Sequence, residues 1–155
     1  MPDVPAPPTP LAPSSYFPPV PPDVPTLHAW LGGTPALERL MATFYARVPD
    51  DPVLAPVFAH MSVAHAAHVA AFVGEVLGGP PAYSADVAGP EGGHARMIAR
   101  HLGRTLTEAQ RARWVALLVE SADLVGLPTD PEFRSAFVAY LEWGSRLAVL
   151  NSQPG

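Results

Sequence analysis

The sequence predicts an all-α protein on three observations. From about residue 26 onward, apolar side chains recur at i, i+3, i+4 and i+7 in one segment after another. Nothing alternates apolar and polar with a period of two over any useful length. Beyond residue 25, proline and glycine sit mostly where helices would open or stop.

The chain divides at about residue 25. Eleven of its 21 prolines fall before that point. A stretch so rich in proline lacks backbone donors and has fixed φ, so residues 1–25 read as a flexible polyproline-like tail. Residues 26–155 are the folded domain. Thr34-Pro35 sets a capping hydroxyl before a first-turn proline, and Leu37, Leu40, Met41, Phe44, Tyr45 and Val48 then share one helical face. Pro52 opens a short segment through Leu54 and Phe58. Ser62 is placed to cap the next helix, which carries Val63, Val69, Phe72, Val73, Val76 and Leu77 and stops at Gly78-Gly79-Pro80-Pro81.

Residues 80–93 read as loop, followed by a shorter helix with Met97, Ile98, His101 and Leu102. Thr107-x-x-Gln110 is a capping box for a long helix whose stripe is Trp114, Leu117, Leu118, Ser121, Leu124 and Val125. Gly126 and Pro128 end it. Thr129-Asp130-Pro131-Glu132 starts the last helix, with Phe133, Phe137, Tyr140, Leu141, Gly144, Leu147 and Val149 or Leu150 expected inward.

Composition excludes several chemistries. With no cysteine there is no disulfide, no thiolate metal site and no covalent haem attachment. All nine basic residues are arginines, which removes Schiff-base chemistry and a phosphate-loop lysine. A net charge of −5 and a pI near 5.6 leave no basic footprint for nucleic acid or an anionic membrane. With no basic start and no 18-residue apolar run, the expectation is a cytoplasmic protein.

The polar chemistry then rests on six histidines: His28, His60, His65, His68, His94 and His101. On a wheel centred at Val69, His65 lies roughly 40° from the apolar centre and His68 roughly 100° away. His101 shares a face with Met97, Ile98 and His94. A zinc site on His65 and His68 is disfavoured: the two point differently, no carboxylate lies near in sequence, and structural zinc without cysteine is uncommon. No Gly-x-Ser-x-Gly elbow supports a serine hydrolase. Glu38, Glu75, Glu108, Glu120 and Asp123 lie off the apolar stripes and read as solvated faces. Inward histidines on two helices among Phe, Trp and Tyr suit non-covalent haem, which needs apolar walls and an axial imidazole.

At this point the sequence resembles a known family. The residues that carry the resemblance are Gly32-Gly33, Phe44-Tyr45, Asp51-Pro52 through Phe58, Gly78-Gly79-Pro80 and Tyr83. They continue in Gly93-His94-Ala95-Arg96-Met97, Arg100-His101, Arg113-Trp114 and the run from Tyr140-Leu141-Glu142 to Asn151-Ser152. In this order, from about Leu27 to Gly155, they are similar to the group II truncated haemoglobins of bacteria.

That resemblance implies a truncated globin fold, two helices over two around haem b. It implies His101 as the proximal iron ligand, with Met97 packed against the cofactor. His94, about 10 Å along the same helix, is too far to share the iron. Tyr45 and Trp114 would donate hydrogen bonds to the bound ligand. Phe58 would pack on the haem near its distal side, with Val69 over that side and Phe72 behind. Arg100 and Tyr83 would meet the propionates.

His65 falls at the distal gate when positions are counted back from Gly78-Gly79-Pro80, whereas counting forward from Phe58 gives Ala66. It stays open between a gate, a hydrogen-bond donor, a sixth iron ligand and a solvent-facing flank. The function implied is reversible binding of dioxygen, carbon monoxide and nitric oxide, with oxygen transport in view. The alternatives are a haem redox enzyme, such as a nitric oxide dioxygenase or a peroxidase, and a haem-free helical interaction module. No flavin or nicotinamide segment is recognisable, so turnover would need an external reductase. The family also implies a homodimer. Pro-Asp-Val-Pro occurs twice in the tail, and without nearby basic residues it reads as a disordered extension rather than a docking motif.

Overall fold

The computed structural model describes residues 24–62, 64–81, 83 and 104–154, and every regular element among them is helical. Thr26 caps α1 (Leu27–Leu31), its hydroxyl accepting the Ala29 N–H at 3.1 Å. Gly32 ends α1 at φ 115°, a conformation strained for any residue with a Cβ, and the same glycine opens α2 (Gly33–Arg47). The Thr34 cap expected from the sequence is not made. Helix α2 starts at Gly33, two residues earlier than a Thr34 cap would set it, and the Thr34 hydroxyl instead pairs with His28 Nε2 at 3.1 Å.

A 3-10 turn at Val48–Asp50 leads into a run of turns over residues 52–60. Helix α3 (His65–Val76) has no side-chain cap. Ser62 contributes its carbonyl to His65 N–H rather than the expected hydroxyl, because the helix begins two residues later than its apolar pattern suggests. It stops where Gly78 adopts φ 93° and Gly79 N–H returns to the Gly74 carbonyl at 2.8 Å.

Helix α4 (Glu108–Leu124) opens on the expected capping box: Gln110 N–H donates to Thr107 Oγ1 at 3.2 Å, and Thr107 N–H to Gln110 Oε1 at 2.9 Å. Helix α5 (Pro131–Ser152) starts on its proline, without a side-chain cap from Asp130.

The helices form two pairs. Helix α2 lies on α3 and α4 lies on α5, the pairs meet through α2 and α4, and α1 bridges α2 to α5. This is the two-over-two arrangement that the resemblance implies. Leu37, Leu40, Phe44, Leu117, Leu118, Phe133 and Phe137 are fully buried at the seam. Phe133 and Phe137 stack at 5.6 Å, with Trp30 tilted onto Phe133 at 5.7 Å.

Two inward assignments fail. Leu124 is 67% exposed because it is the last residue of α4, one turn past the buried Ser121 and Ala122. Tyr140, 45% exposed, also lies outside the packed face of α5, which runs through Phe133, Phe137, Leu141, Ser145 and Ser152, while of Val149 or Leu150 it is Val149 that is half-buried.

Phe137→Ala is expected to destabilise the fold by about 3–5 kcal/mol, and Thr107→Ala by about 1 kcal/mol, in chemical denaturation. Gly79→Ala should also destabilise it, since a Cβ there would stand 2.5 Å from the His28 ring and 2.8 Å from the Gly74 carbonyl oxygen.

Candidate functional site

Between α3 on one side and α4 with α5 on the other lies a cavity of about 380 Å³. Cofactor and small-molecule sites typically measure about 300–1,000 Å³. Val69, Phe72 and Val73 form part of the α3 wall, and Trp114, Leu141 and Ala148 part of the wall opposite.

Tyr45, on α2, is 7% exposed and reaches into this cavity. Its ring meets Phe44 at 4.7 Å, Phe58 at 5.5 Å and His65 at 5.0 Å, each edge to face, and Phe58 meets His65 at 5.6 Å. Trp114 stands edge-on to Phe44 at 6.2 Å. Four segments, α2, the turns after it, α3 and α4, thus deliver Tyr45, Phe58, His65 and Trp114 to one place.

The hydrogen bonds there have a direction. His65 Nε2 lies 3.1 Å from the Tyr45 hydroxyl, and the Trp114 side chain hydrogen-bonds to the same group. An indole N–H can only donate, so Trp114 acts as a donor towards the Tyr45 oxygen. Between Tyr45 and His65 the donor is set by the imidazole tautomer. Burial pushes the Tyr45 phenol above its ordinary value, and the Trp114 hydrogen bond pulls it part of the way back. The phenol remains a protonated donor at physiological pH.

Of the other expected contacts, Tyr83 packs edge-on to Phe72 at 5.3 Å, and both line the cavity. Met97, Arg100 and His101, with His94 beside them, lie outside the described residues. Among the described residues, no group of three or more metal-ligating side chains converges.

Three features escaped the sequence reading. His68 faces the cavity, and its Nδ1 is buried with no hydrogen-bond partner. It lies one turn from Phe72, a spacing that could have revealed it. Arg111 is buried against Glu108 at 2.5 Å, Glu142 at 2.9 Å and Ser145 at 3.3 Å, joining α4 to α5. Those carboxylates and hydrogen bonds hold its guanidinium above its ordinary value despite burial. Asp51 is also buried. One oxygen accepts the N–H groups of Val53 and Leu54 at 3.0 Å each, and the other meets Arg113 Nε at 2.5 Å. The dipeptide Asp51-Pro52, a capping residue ahead of a first-turn proline, was its signal.

An all-helical two-over-two sandwich around such a cavity defines a truncated globin. The chain belongs to the bacterial-like globin family, which it matches over residues 26–142. It is 33% identical over 117 residues to the group 2 truncated hemoglobin YjbI of Bacillus subtilis, covering 76% of this chain and 83% of that one. The group II truncated hemoglobin of Bacillus anthracis superposes with a TM-score of 0.70 at 25% identity, covering 82% of this chain and 92% of the other. A truncated oxygen-avid haemoglobin from Bacillus subtilis does so with a TM-score of 0.68 at 30% identity, covering 81% and 99%. Membership of this family implies haem binding and, with it, binding of oxygen or a comparable small ligand. Among the described residues, no helix is long and apolar enough to cross a membrane.

Two titrations follow. Tyrosinate formation followed by absorbance should include a step above the ordinary phenol value of about 10, and Tyr45→Phe should remove it. The Arg113 hydrogen bond is the chief cause holding the Asp51 carboxyl below its ordinary value, so its contribution to stability is present at neutral pH and lost as pH falls through that lowered value. Unfolding midpoints should therefore fall below about pH 4, and less steeply in Asp51→Asn.

Proposed function

We propose that this chain binds haem b in the cavity, where neutral His101 would hold the iron, and reversibly holds dioxygen, carbon monoxide or nitric oxide there. The observation that carries this reading is the Tyr45 hydroxyl: a buried phenol kept protonated and served by Trp114 and His65 at the wall of an apolar cavity.

The residues present suit a porphyrin. The walls are apolar, and the buried, unpartnered His68 Nδ1 offers a site for a polar edge of the cofactor. Val69, Phe72, Met97 and Phe58 would form the walls, and Tyr83, Arg100 and His68 would face the propionates. Haem, when bound, supplies a ferrous iron that takes up a diatomic ligand.

The protein supplies the rest. A ligand that acquires partial negative charge is held by donors in a dry site, where a hydrogen bond to a charged group contributes about 1.5–3 kcal/mol. Tyr45 can donate its O–H to the ligand, and Trp114 can add its indole N–H. His65 then acts as a gate, because the nitrogen needed for sixth-ligand binding already faces Tyr45. The same donors would stabilise developing negative charge in nitric oxide dioxygenation or peroxide chemistry, given an external reductase.

The test is absorption spectroscopy of the haem-reconstituted chain. A Soret band and a carbon monoxide adduct are expected in the wild type, with His101→Ala losing the native spectrum. Tyr45→Phe and Trp114→Phe should each release dioxygen faster, by on the order of tenfold for 1.4 kcal/mol lost. Unchanged release in both variants would refute the roles given to these donors, and rapid reductant-driven nitric oxide consumption would favour the enzymatic reading.

A further inference from the structure

Three of the segments that meet around Tyr45, the end of α2, the turn bearing Phe58 and α4, are also tied together behind it. Asp51 and Arg113 are not among the residues lining the cavity. Each is nevertheless attached to an element that delivers a cavity group. Asp51 Oδ1 accepts the N–H groups of Val53 and Leu54, and its carbonyl accepts Ala55 N–H at 2.8 Å. From there Phe58 N–H returns to the Leu54 carbonyl at 3.3 Å. The orientation of the turn that presents Phe58 therefore begins at Asp51.

Arg113 precedes Trp114 on α4. Its Nε bonds Asp51 Oδ2 at 2.5 Å, and its Nη1 lies 3.5 Å from Glu120. Glu120 in turn takes Arg47 at 3.3 Å, and Arg47 reaches Ser121 Oγ at 3.4 Å. Arg47 is two residues beyond Tyr45. One chain of charges thus links the end of α2, the turn bearing Phe58 and the part of α4 bearing Trp114.

Capping alone does not account for Asp51. One carboxylate oxygen suffices for the two backbone N–H groups, and an asparagine side chain would supply it. The second oxygen is buried on a guanidinium 62 positions away, in a carboxylate only 5% exposed.

The geometry points to Asp51 and Arg113 as positioning residues, whose ion pair fixes Phe58 and Trp114 against Tyr45 and thereby sets how tightly the cavity holds its ligand. This rests on the ligand-binding reading above. The physical link is distance: hydrogen bonds weaken steeply as their alignment is lost, and displacements of about 1 Å in a preorganised site change rates by orders of magnitude.

The test uses the full haem-reconstituted chain with carbon monoxide and dioxygen as probes. Asp51→Asn keeps the capping oxygen and the side-chain size but removes the charge facing Arg113. Arg113→Ala removes the other partner, and Arg113→Lys keeps its charge. Both Asp51→Asn and Arg113→Ala should split or broaden the carbon monoxide stretching band and speed dioxygen release by on the order of tenfold. The double variant should be no faster than either single one, and Arg113→Lys should recover most of the wild-type band.

A wild-type band with release within about twofold of wild type in both single variants, even alongside a lower melting temperature, would show that the pair only stabilises the fold and would overturn the inference. Tyr45→Phe and Trp114→Phe serve as references in the same assays. If they move the band while Asp51→Asn does not, the ligand-binding reading stands and the positioning role fails. If the wild type takes up no haem, both fail together.

Discussion

A buried phenol is the constraint on which the site depends. Removing a hydroxyl from water without a partner costs free energy on the scale of a domain's net stability, so Tyr45 can be buried only where partners are delivered to it. The chain brings them from two other helices: His65 from α3 and Trp114 from α4. A core built of leucine and phenylalanine alone would accept many small shifts between α2 and its neighbours. One polar group that needs two directional contacts does not, and it selects among those packings.

The same logic explains why the ionic pairs occur where they do. Arg111 joins α4 to α5 through Glu108, Glu142 and Ser145, and Arg113 joins α4 to the turn after α2 through Asp51. Both arginines lie in the first two turns of α4, next to the residue that must be aimed, Trp114. Half-buried Arg134 reaches Asp123 at 2.8 Å and the Pro128 and Leu127 carbonyls at 2.6 and 3.3 Å, tying the start of α5 to the end of α4 and the loop between them.

Much of this was legible because it rests on local chemistry. The capping box at Thr107 and Gln110 is complete within four residues, and the stops at Gly78 and Gly126 follow from their positive φ, so sequence reading found both. Tyr45 and Trp114 were legible only through their place in a family pattern, since an amphipathic stripe cannot distinguish a core aromatic from a functional one.

What failed depended on tertiary context. Thr34 and Ser62 are good caps by composition, but Gly32 and Ala64 took those places because the preceding elements fix where each helix begins. His68 looked lateral on a wheel, yet the cavity is wide enough to include the flank of α3. Asp51 and Arg113 are 62 residues apart, and no local pattern pairs them.

On the proposed ligand-binding reading, one contact would couple entry to retention. The His65 Nε2 lies 3.1 Å from the phenol that would hold a ligand, and its ring packs edge-on against both Tyr45 and Phe58. A ligand with partial negative charge would draw on the Tyr45 O–H, and turning the hydroxyl to the ligand would loosen the contact that holds the imidazole inward. Affinity and access would then not be tuned independently at these two residues, because both would involve the Tyr45 hydroxyl.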